Sequence, residues 1–216
     1  MKRYFLFDLD GTLTDTGSGI MGSVAHALAR LGWPEPEADF LRQFVGPPLE
    51  ESFQNFCQMS PAEAAEAIRL YRERYHAWGV FQSPLYPGVE GLLERLSQKA
   101  ALAVATSKRK AGARQILAMR GVEGYFQAVV GDDGTRPSKA AVVGEALAQL
   151  EEPPREQVVM IGDRSYDVAG AKAWGLESIG VLYGYSAPGE LAAAGASRLV
   201  GSVAELEALC RKLTEA

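Results

Sequence analysis

Short apolar runs recur along the chain, and longer segments with helical periodicity separate most of them. Five runs have the length and composition of buried strands, at residues 4–9, 101–105, 126–130, 158–161 and 178–182. Helical patterns occupy residues 110–120, 138–150, 166–174, 190–194 and 203–213. This alternation predicts an α/β protein whose parallel sheet is covered on both faces, with ligands bound beyond the carboxyl ends of the strands.

One long segment departs from this alternation. It carries helical patterns at residues 20–31, 39–44, 49–56 and 61–78, with no strand-like run between them. Ser60 and Glu63 form a typical helix start, in which the serine caps the helix and the glutamate completes a capping box. Pro84 and Pro87 mark the return to the core. We therefore expect a helical domain at residues 17–81, inserted into a core of residues 1–16 and 82–216.

The composition is that of an ordinary globular protein. Its charge argues against nucleic acid polymers and anionic membranes as partners. The 216 residues carry a formal net charge of -5, so no basic excess favours nucleic acid polymers or an anionic membrane. No apolar stretch approaches the roughly 20 residues that span a bilayer. Cys57 and Cys210 have no metal-ligand spacing, and Asp8 and Asp10 interrupt the apolar start of the chain. These features predict a cytoplasmic protein.

The most specific chemical pattern follows the first predicted strand, in the run Asp8-Leu9-Asp10-Gly11. Two aspartates two positions apart point the same way, and the glycine lets the chain turn sharply behind them. Adjacent carboxylates repel each other unless a cation lies between them or they divide the roles of nucleophile and acid. The alternative is a solvated Asp-Gly turn.

A second acidic pair, Asp163 and Asp167, follows the fourth predicted strand and enters a helix. Carboxylates from separate strand ends suit magnesium, which is a hard cation that prefers oxygen ligands. The alternative is that Asp163 caps the helix. That alternative accounts for one aspartate, but it leaves the similar site after the first strand unexplained.

Two weaker patterns supply a hydroxyl group and a cation. Thr106-Ser107-Lys108 follows the second predicted strand, where a hydroxyl and backbone N–H groups can hold a phosphate oxygen. Arg136-Pro137-Ser138-Lys139 opens a helix, where Lys139 could neutralise Asp8 and a phosphate. The alternatives are an N-cap for the following helix at the first run and a solvated lysine at residue 139.

The order of these four patterns along the chain resembles that of the haloacid dehalogenase (HAD) superfamily. The runs Phe44-Val45-Gly46-Pro47-Pro48-Leu49 and Gly180-Val181-Leu182-Tyr183-Gly184-Tyr185 are similar to those of its phosphoglycolate phosphatase and 5′-nucleotidase-like branch. The resemblance implies a Rossmann-like α/β core with a helical type 1 cap inserted after the first strand. It also implies a magnesium-dependent phosphoric monoester hydrolase that acts on small phosphorylated metabolites.

The resemblance further implies a role for each matching residue. Asp8 would attack phosphorus and form an aspartyl-phosphate, and Asp10 would protonate the leaving oxygen and then activate water. Thr106 and Lys139 would hold the phosphoryl oxygens. Magnesium would bind the Asp8 carboxylate, the Asp10 backbone carbonyl and Asp163, while Asp167 would orient Lys139 or metal-bound water. We expect Ser107, Arg42 and Gly46 to contact the substrate.

Other activities on the same fold remain as alternatives. Dehalogenases lack the second aspartate, which is present here as Asp10, and the expected insert contains no lysine that could form a Schiff base. Mutases similar to β-phosphoglucomutase carry a histidine where this chain has Ile20, so phosphoryl transfer between sugar positions ranks below hydrolysis. A catalytically silent binding protein is the other alternative. The sequence leaves open the choice between phosphoglycolate and nucleoside 5′-monophosphates, and between a monomer and a homodimer.

Overall fold

The computed structural model describes residues 1–133 and 138–215. Its strands are β1 (Tyr4–Phe7), β2 (Ala101–Arg109), β3 (Ala128–Asp132), β4 (Val158–Gly162), β5 (Glu177–Val181) and β6 (Arg198–Val200). They form one six-stranded sheet in the order β3-β2-β1-β4-β5-β6, and every neighbouring pair is parallel. The predicted α/β fold class is therefore confirmed.

The helices follow the predicted alternation closely. In chain order they are α1 (Gly17–Arg30), α2 (Ala38–Arg42), α3 (Leu49–Cys57), α4 (Pro61–Ala77), α5 (Val89–Ser97), α6 (Lys110–Met119), α7 (Lys139–Gln149), α8 (Ser165–Ala173), α9 (Glu190–Ala193) and α10 (Val203–Glu215). Two elements, α5 and β6, were not predicted. None of the helices in the described ranges is both long and apolar enough to cross a membrane.

The chain divides into two compact units. The first combines Met1–Thr14 with Leu85–Ala216 and holds the sheet, and the second is Asp15–Pro84 and holds α1 to α4. The boundaries lie within a few residues of the 17–81 insert expected from the sequence.

The core of the first unit lies on both faces of the sheet. Phe5, Leu6 and Phe7 of β1 are fully buried, because β1 lies between β2 and β4 and alternate side chains enter opposite layers. On one face, Leu6 belongs to an apolar cluster with residues of the neighbouring strands and of α7, including Met160 and Val143. This packing fixes the carboxyl end of β1, from which Asp8 follows directly.

The second unit has its own aromatic core. The ring of Phe44 is 1% exposed and lies 5.5 Å from Phe40, 5.1 Å from Phe53 and 5.3 Å from Phe56, measured between ring centroids. The predicted capping box at α4 is present: the Ser60 N–H donates to Glu63 Oε2 at 2.8 Å, and the Ser60 hydroxyl accepts from the Glu63 N–H at 3.4 Å.

Candidate active site

The carboxyl edge of the sheet collects the polar side chains predicted from the sequence. Asp8 comes directly after β1, Thr106 lies in the last part of β2, and Asp163 comes directly after β4. Parallel strands place their carboxyl ends at one edge, so residues separated by more than half of the chain become neighbours. Lys139 and Asp167 reach the same edge from the first turns of α7 and α8.

A buried ion-paired group lies at the centre of this edge. The Lys139 ammonium lies 2.6 Å from Asp8 Oδ1 and 2.6 Å from Asp167 Oδ1, and all three side chains are at most 8% exposed. Burial raises the pKa of Asp8 to about 6, although the Lys139 ammonium acts in the opposite direction. Burial alone would lower the pKa of Lys139, but the Asp167 and Asp8 carboxylates outweigh it and raise that pKa above its ordinary value.

Asp163 is fully buried beside this group and is held by two loops. Its Oδ2 accepts from the Tyr185 N–H at 2.7 Å, and its Oδ1 accepts from the Thr12 hydroxyl at 3.4 Å. Burial raises the pKa of Asp163 well above its usual range, and the charges of Asp167 and Asp8 raise it further. A buried carboxylate whose negative charge is offset so little by its neighbours is a candidate ligand for a bound cation.

Gly11 allows the first loop to approach Asp163 closely. Its φ angle is +82°, a left-handed conformation that favours glycine, and a Cβ at this position would lie 2.1 Å from Asp163 Oδ2. Gly11, at which the sequence predicts a sharp turn, therefore also leaves the space in which the Asp163 carboxylate lies.

The acidic group has the donor set of a site for a hard divalent cation. Asp8, Asp163 and Asp167 each offer a carboxylate oxygen, and these atoms all lie within 4.8 Å of one another. Carboxylate oxygens suit magnesium, and a divalent charge would offset the burial and the mutual repulsion that raise the pKa values of Asp8 and Asp163. The residues present therefore fit the expected cation.

Asp10, the second aspartate of the first pattern, is paired with a lysine that the sequence did not single out as a site residue. Lys108 Nζ lies 2.9 Å from Asp10 Oδ2 and 3.2 Å from Oδ1, and both side chains are almost buried. The Lys108 N–H donates to the Thr106 hydroxyl at 3.2 Å. Ser107 is half-buried between them in the chain. The available signal was the position of Lys108, two residues after Thr106 at the end of a strand.

Two other predictions have different outcomes. The alternative in which Asp163 caps α8 is wrong, because α8 begins at Ser165 with Arg164 as its N-cap residue. Asp167 Oδ2 instead accepts from the Arg164 N–H at 3.0 Å. Of the run that ends at Lys139, Arg136 and Pro137 lie outside the described residues, and Ser138 caps α7 by accepting from the Ala141 N–H at 3.3 Å.

Arg42 and Gly46 belong to the second unit, so their expected contact with substrate stays a prediction. Arg42 is the last residue of α2 and is exposed. Gly46 is half-buried between α2 and α3, with a φ angle of +109°.

Comparison with known proteins identifies the family of this chain. The family profile described as haloacid dehalogenase-like hydrolase matches residues 5–181, which is most of the chain and includes every acidic residue of the site. The chain belongs to this family. The predicted HAD superfamily hydrolase is therefore confirmed.

The relatives of this HAD-family chain are named for different activities. The tyrosine-protein kinase PtkA of Mycobacterium tuberculosis is 46% identical over 184 residues, which cover 83% of this chain and 62% of that protein. A 5′-nucleotidase of Pseudomonas aeruginosa is 42% identical over 191 residues, which cover 87% of this chain and 86% of the nucleotidase. This chain therefore spans less than two thirds of the length of the mycobacterial relative.

Among solved structures, the crystal structure of a predicted phosphatase from Clostridium acetobutylicum superimposes with a TM-score of 0.93. The two sequences are 40% identical, and the match covers 100% of both chains. The fold of this chain is thus similar to that of a solved structure.

Proposed function

We propose that the chain hydrolyses small phosphate monoesters through an aspartyl-phosphate formed on Asp8. The observation that carries the proposal is the pairing of Asp8 Oδ1 with Lys139 Nζ at 2.6 Å, next to Asp163 at the edge where ligands bind. This arrangement gives a nucleophile and a buried positive charge for the phosphoryl group. The relatives named phosphatase and 5′-nucleotidase support the same chemistry.

Each residue would carry one part of a two-step reaction. A carboxylate oxygen of Asp8 attacks phosphorus, the bond from phosphorus to the leaving oxygen breaks, and that oxygen takes a proton from Asp10. Asp10 then accepts a proton from a water molecule, whose oxygen attacks phosphorus and releases inorganic phosphate and free Asp8. Lys139 and the Thr106 hydroxyl would hold the phosphoryl oxygens while charge shifts among them.

Magnesium is the cation that we propose for the acidic group. When bound, it would neutralise charge on the phosphoryl oxygens and orient them. Its ligands would be the Asp8 and Asp163 carboxylates and the Asp10 backbone carbonyl. Asp167 is better suited to orienting its neighbours, because its Oδ1 pairs with Lys139 and its Oδ2 accepts from the Arg164 N–H.

For the substrate we propose nucleoside 5′-monophosphates first and phosphoglycolate second. The relative named 5′-nucleotidase, at 42% identity over 87% of the chain, favours a nucleotide. A cytoplasmic location and a monomeric or homodimeric state stay predictions from the sequence.

Tyrosine phosphorylation is a second candidate, favoured by the 46% identity to the mycobacterial kinase. The same Asp8 and Lys139 could handle a phosphoryl group in transfer as well as in hydrolysis. The chain covers only 62% of that relative, and the residues that we propose for hydrolysis, Asp8, Asp10 and Lys139, all lie within the described part of the chain.

A single panel of assays separates these functions. The purified chain would be incubated with nucleoside 5′-monophosphates, phosphoglycolate and p-nitrophenyl phosphate, in magnesium or in EDTA, and phosphate release would be measured. A parallel reaction would follow transfer of the γ-phosphoryl group of ATP to a tyrosine peptide. We expect magnesium-dependent phosphate release from at least one ester. Labelled peptide without ester hydrolysis would identify a kinase, and no turnover in either assay would identify a silent binding protein.

A further inference from the structure

Lys108 lies on an irregular part of the sheet. The pairing of β2 with β3 is regular up to Ala105 and Val130, and the next pair joins Arg109 to Asp132. Three residues of β2, including Lys108, therefore stand opposite one residue of β3. Such bulges bend a strand and redirect its side chains, and they occur often beside active sites.

Gly131 accommodates this bulge. A Cβ at Gly131 would lie 2.5 Å from the Lys108 carbonyl oxygen and 2.7 Å from the Lys110 backbone nitrogen. Any side chain at this position would displace the bulge. The Thr106 hydroxyl accepts from the Lys108 N–H at 3.2 Å and constrains the same turn. The backbone that carries Lys108 is thus held by contacts that are independent of its ammonium group.

The ammonium group itself contacts both oxygens of the Asp10 carboxylate, at 2.9 and 3.2 Å. The side chains are 10% and 11% exposed, so water screens the pair much less than it screens a surface ion pair. A contact to both oxygens restricts rotation of the carboxylate as well as its position.

We propose that Lys108 is a positioning residue that holds the Asp10 carboxyl group in line with the leaving oxygen. The inference rests on the proposed phosphatase activity, in which Asp10 enters the first step as the protonated acid, gives its proton to that oxygen and, as the carboxylate, later takes one from water. Lys108 itself exchanges no proton and forms no bond to phosphorus. Under this proposal, its effect on the reaction passes through Asp10.

The first test varies the leaving group. Lys108→Met keeps most of the length of the side chain and removes its charge. In single-turnover experiments with magnesium, we expect release of the nucleoside from a nucleoside 5′-monophosphate to slow by roughly 100-fold, the lower range for general acid catalysis. The initial burst of p-nitrophenol from p-nitrophenyl phosphate should slow by less than about threefold, because this good leaving group needs little protonation. Equal slowing of both first steps would overturn the proposal.

The second test is a double-mutant cycle with Asp10→Asn. If Lys108 acts through Asp10, Lys108→Met should slow the nucleotide reaction by less than about threefold once Asp10→Asn is present. A loss in that background as large as in the wild type would show that Lys108 acts directly on the substrate, which would also overturn the proposal. Lys108→Arg should recover part of the lost rate, because it restores a cation near the carboxylate.

Controls separate failure of the inference from failure of the proposed function. Arg109→Met removes a positive charge from the adjacent, exposed position and should leave both rates unchanged. If circular dichroism shows that Lys108→Met does not fold, Lys108→Gln would replace it. We expect the same difference in slowing between the nucleotide and p-nitrophenyl phosphate. A wild-type chain that hydrolyses no ester would overturn the proposed function, and the role of Lys108 with it. An active wild type with an unaffected Lys108→Met would overturn the role of Lys108 alone.

Discussion

Lys139 Nζ lies 2.6 Å from Asp8 Oδ1, and the two side chains are 5% and 8% exposed. The same ammonium lies 2.6 Å from Asp167 Oδ1. Lys139 is therefore the counter-ion of two buried carboxylates, which would otherwise repel each other. Removing one partner from such a pair costs more stability than the intact pair contributes, because the remaining charge stays buried without compensation.

We predict that Lys139→Met destabilises the metal-free protein by about 3–5 kcal/mol at pH 8, the usual cost of breaking a buried ion pair. The measurement is urea unfolding in EDTA. Lys99→Met is the matched control, since Lys99 forms an exposed pair with Glu215 at 3.2 Å and should change the free energy of unfolding by less than about 0.5 kcal/mol. Similar losses in both variants would contradict the buried role of Lys139.

The destabilisation by Lys139→Met should depend on pH in a defined direction. The folded-state pKa of Asp8 is about 6, above its value of 3.8 in an unfolded chain, and it should rise further when the ammonium is removed. A carboxyl group with a raised folded pKa destabilises the fold at high pH, and the penalty disappears as the group binds a proton. The difference between variant and wild type should therefore be smaller at pH 5.5 than at pH 8. A larger difference at pH 5.5 would contradict this sign.

Asp8→Asn tests the nucleophile. The substitution keeps the shape of the side chain but removes the attacking charge, so we expect phosphate release to fall by at least about 10³-fold with the fold intact. Asp39→Asn, at an exposed position of α2, should have no effect. The measurement is kcat/KM for the best ester together with circular dichroism. Retention of more than about a tenth of wild-type turnover would exclude Asp8 as the nucleophile.

Magnesium should be required for turnover and should stabilise the fold. A ligand that binds only the folded state raises its stability by about 2.7 kcal/mol at 100 times its Kd, so the Tm should rise with magnesium concentration. EDTA should abolish phosphate release, and calcium should replace magnesium poorly because it takes more ligands at longer distances. Asp163→Asn should remove the magnesium-dependent rise in Tm. Full activity in excess EDTA would show that these carboxylates do not hold a metal.

An element of the fold could be predicted where its sequence pattern is long or where its apolar residues are buried. The fully buried run Phe5 to Phe7 gave β1 and the position of Asp8 directly after it. β6 gave no such signal, because it has three residues at the edge of the sheet, and Leu199 is 41% exposed. Helix α5 has buried Leu92, Leu93 and Leu96 at helical spacing, a pattern that is present in the sequence and is typical of an amphipathic helix.

The site could be predicted where the strand end alone determines a side chain's position. Asp8 and Asp163 follow directly from β1 and β4, and parallel pairing brings the two strand ends together. Lys108 could not be predicted in this way. Its contact with Asp10 depends on the bulge opposite Gly131, which is a matter of strand register that a single sequence does not reveal.

Arg42 is the predicted contact to substrate that lies in the second unit. It is the last residue of α2, and the segment that follows contains Gly46 in a left-handed conformation and then two prolines. A guanidinium group binds a carboxylate or a phosphate through two hydrogen bonds, so Arg42 could hold a second polar or anionic group of a natural substrate. The alternative is an exposed arginine paired with a neighbour such as Asp39, which would contribute only about 0.3–0.5 kcal/mol to stability.

Kinetics distinguish these two roles of Arg42. If the side chain meets the substrate, Arg42→Ala should lower kcat/KM for the best natural substrate by about tenfold or more, equivalent to about 1.4 kcal/mol. Turnover of p-nitrophenyl phosphate should barely change, because its leaving group offers the arginine no anionic partner. Arg72→Ala, at an exposed position of α4 in the same unit, is the control and should leave both substrates unaffected. Equal losses on both substrates would indicate a defect in folding or domain movement, and no loss on either would leave Arg42 as a surface residue.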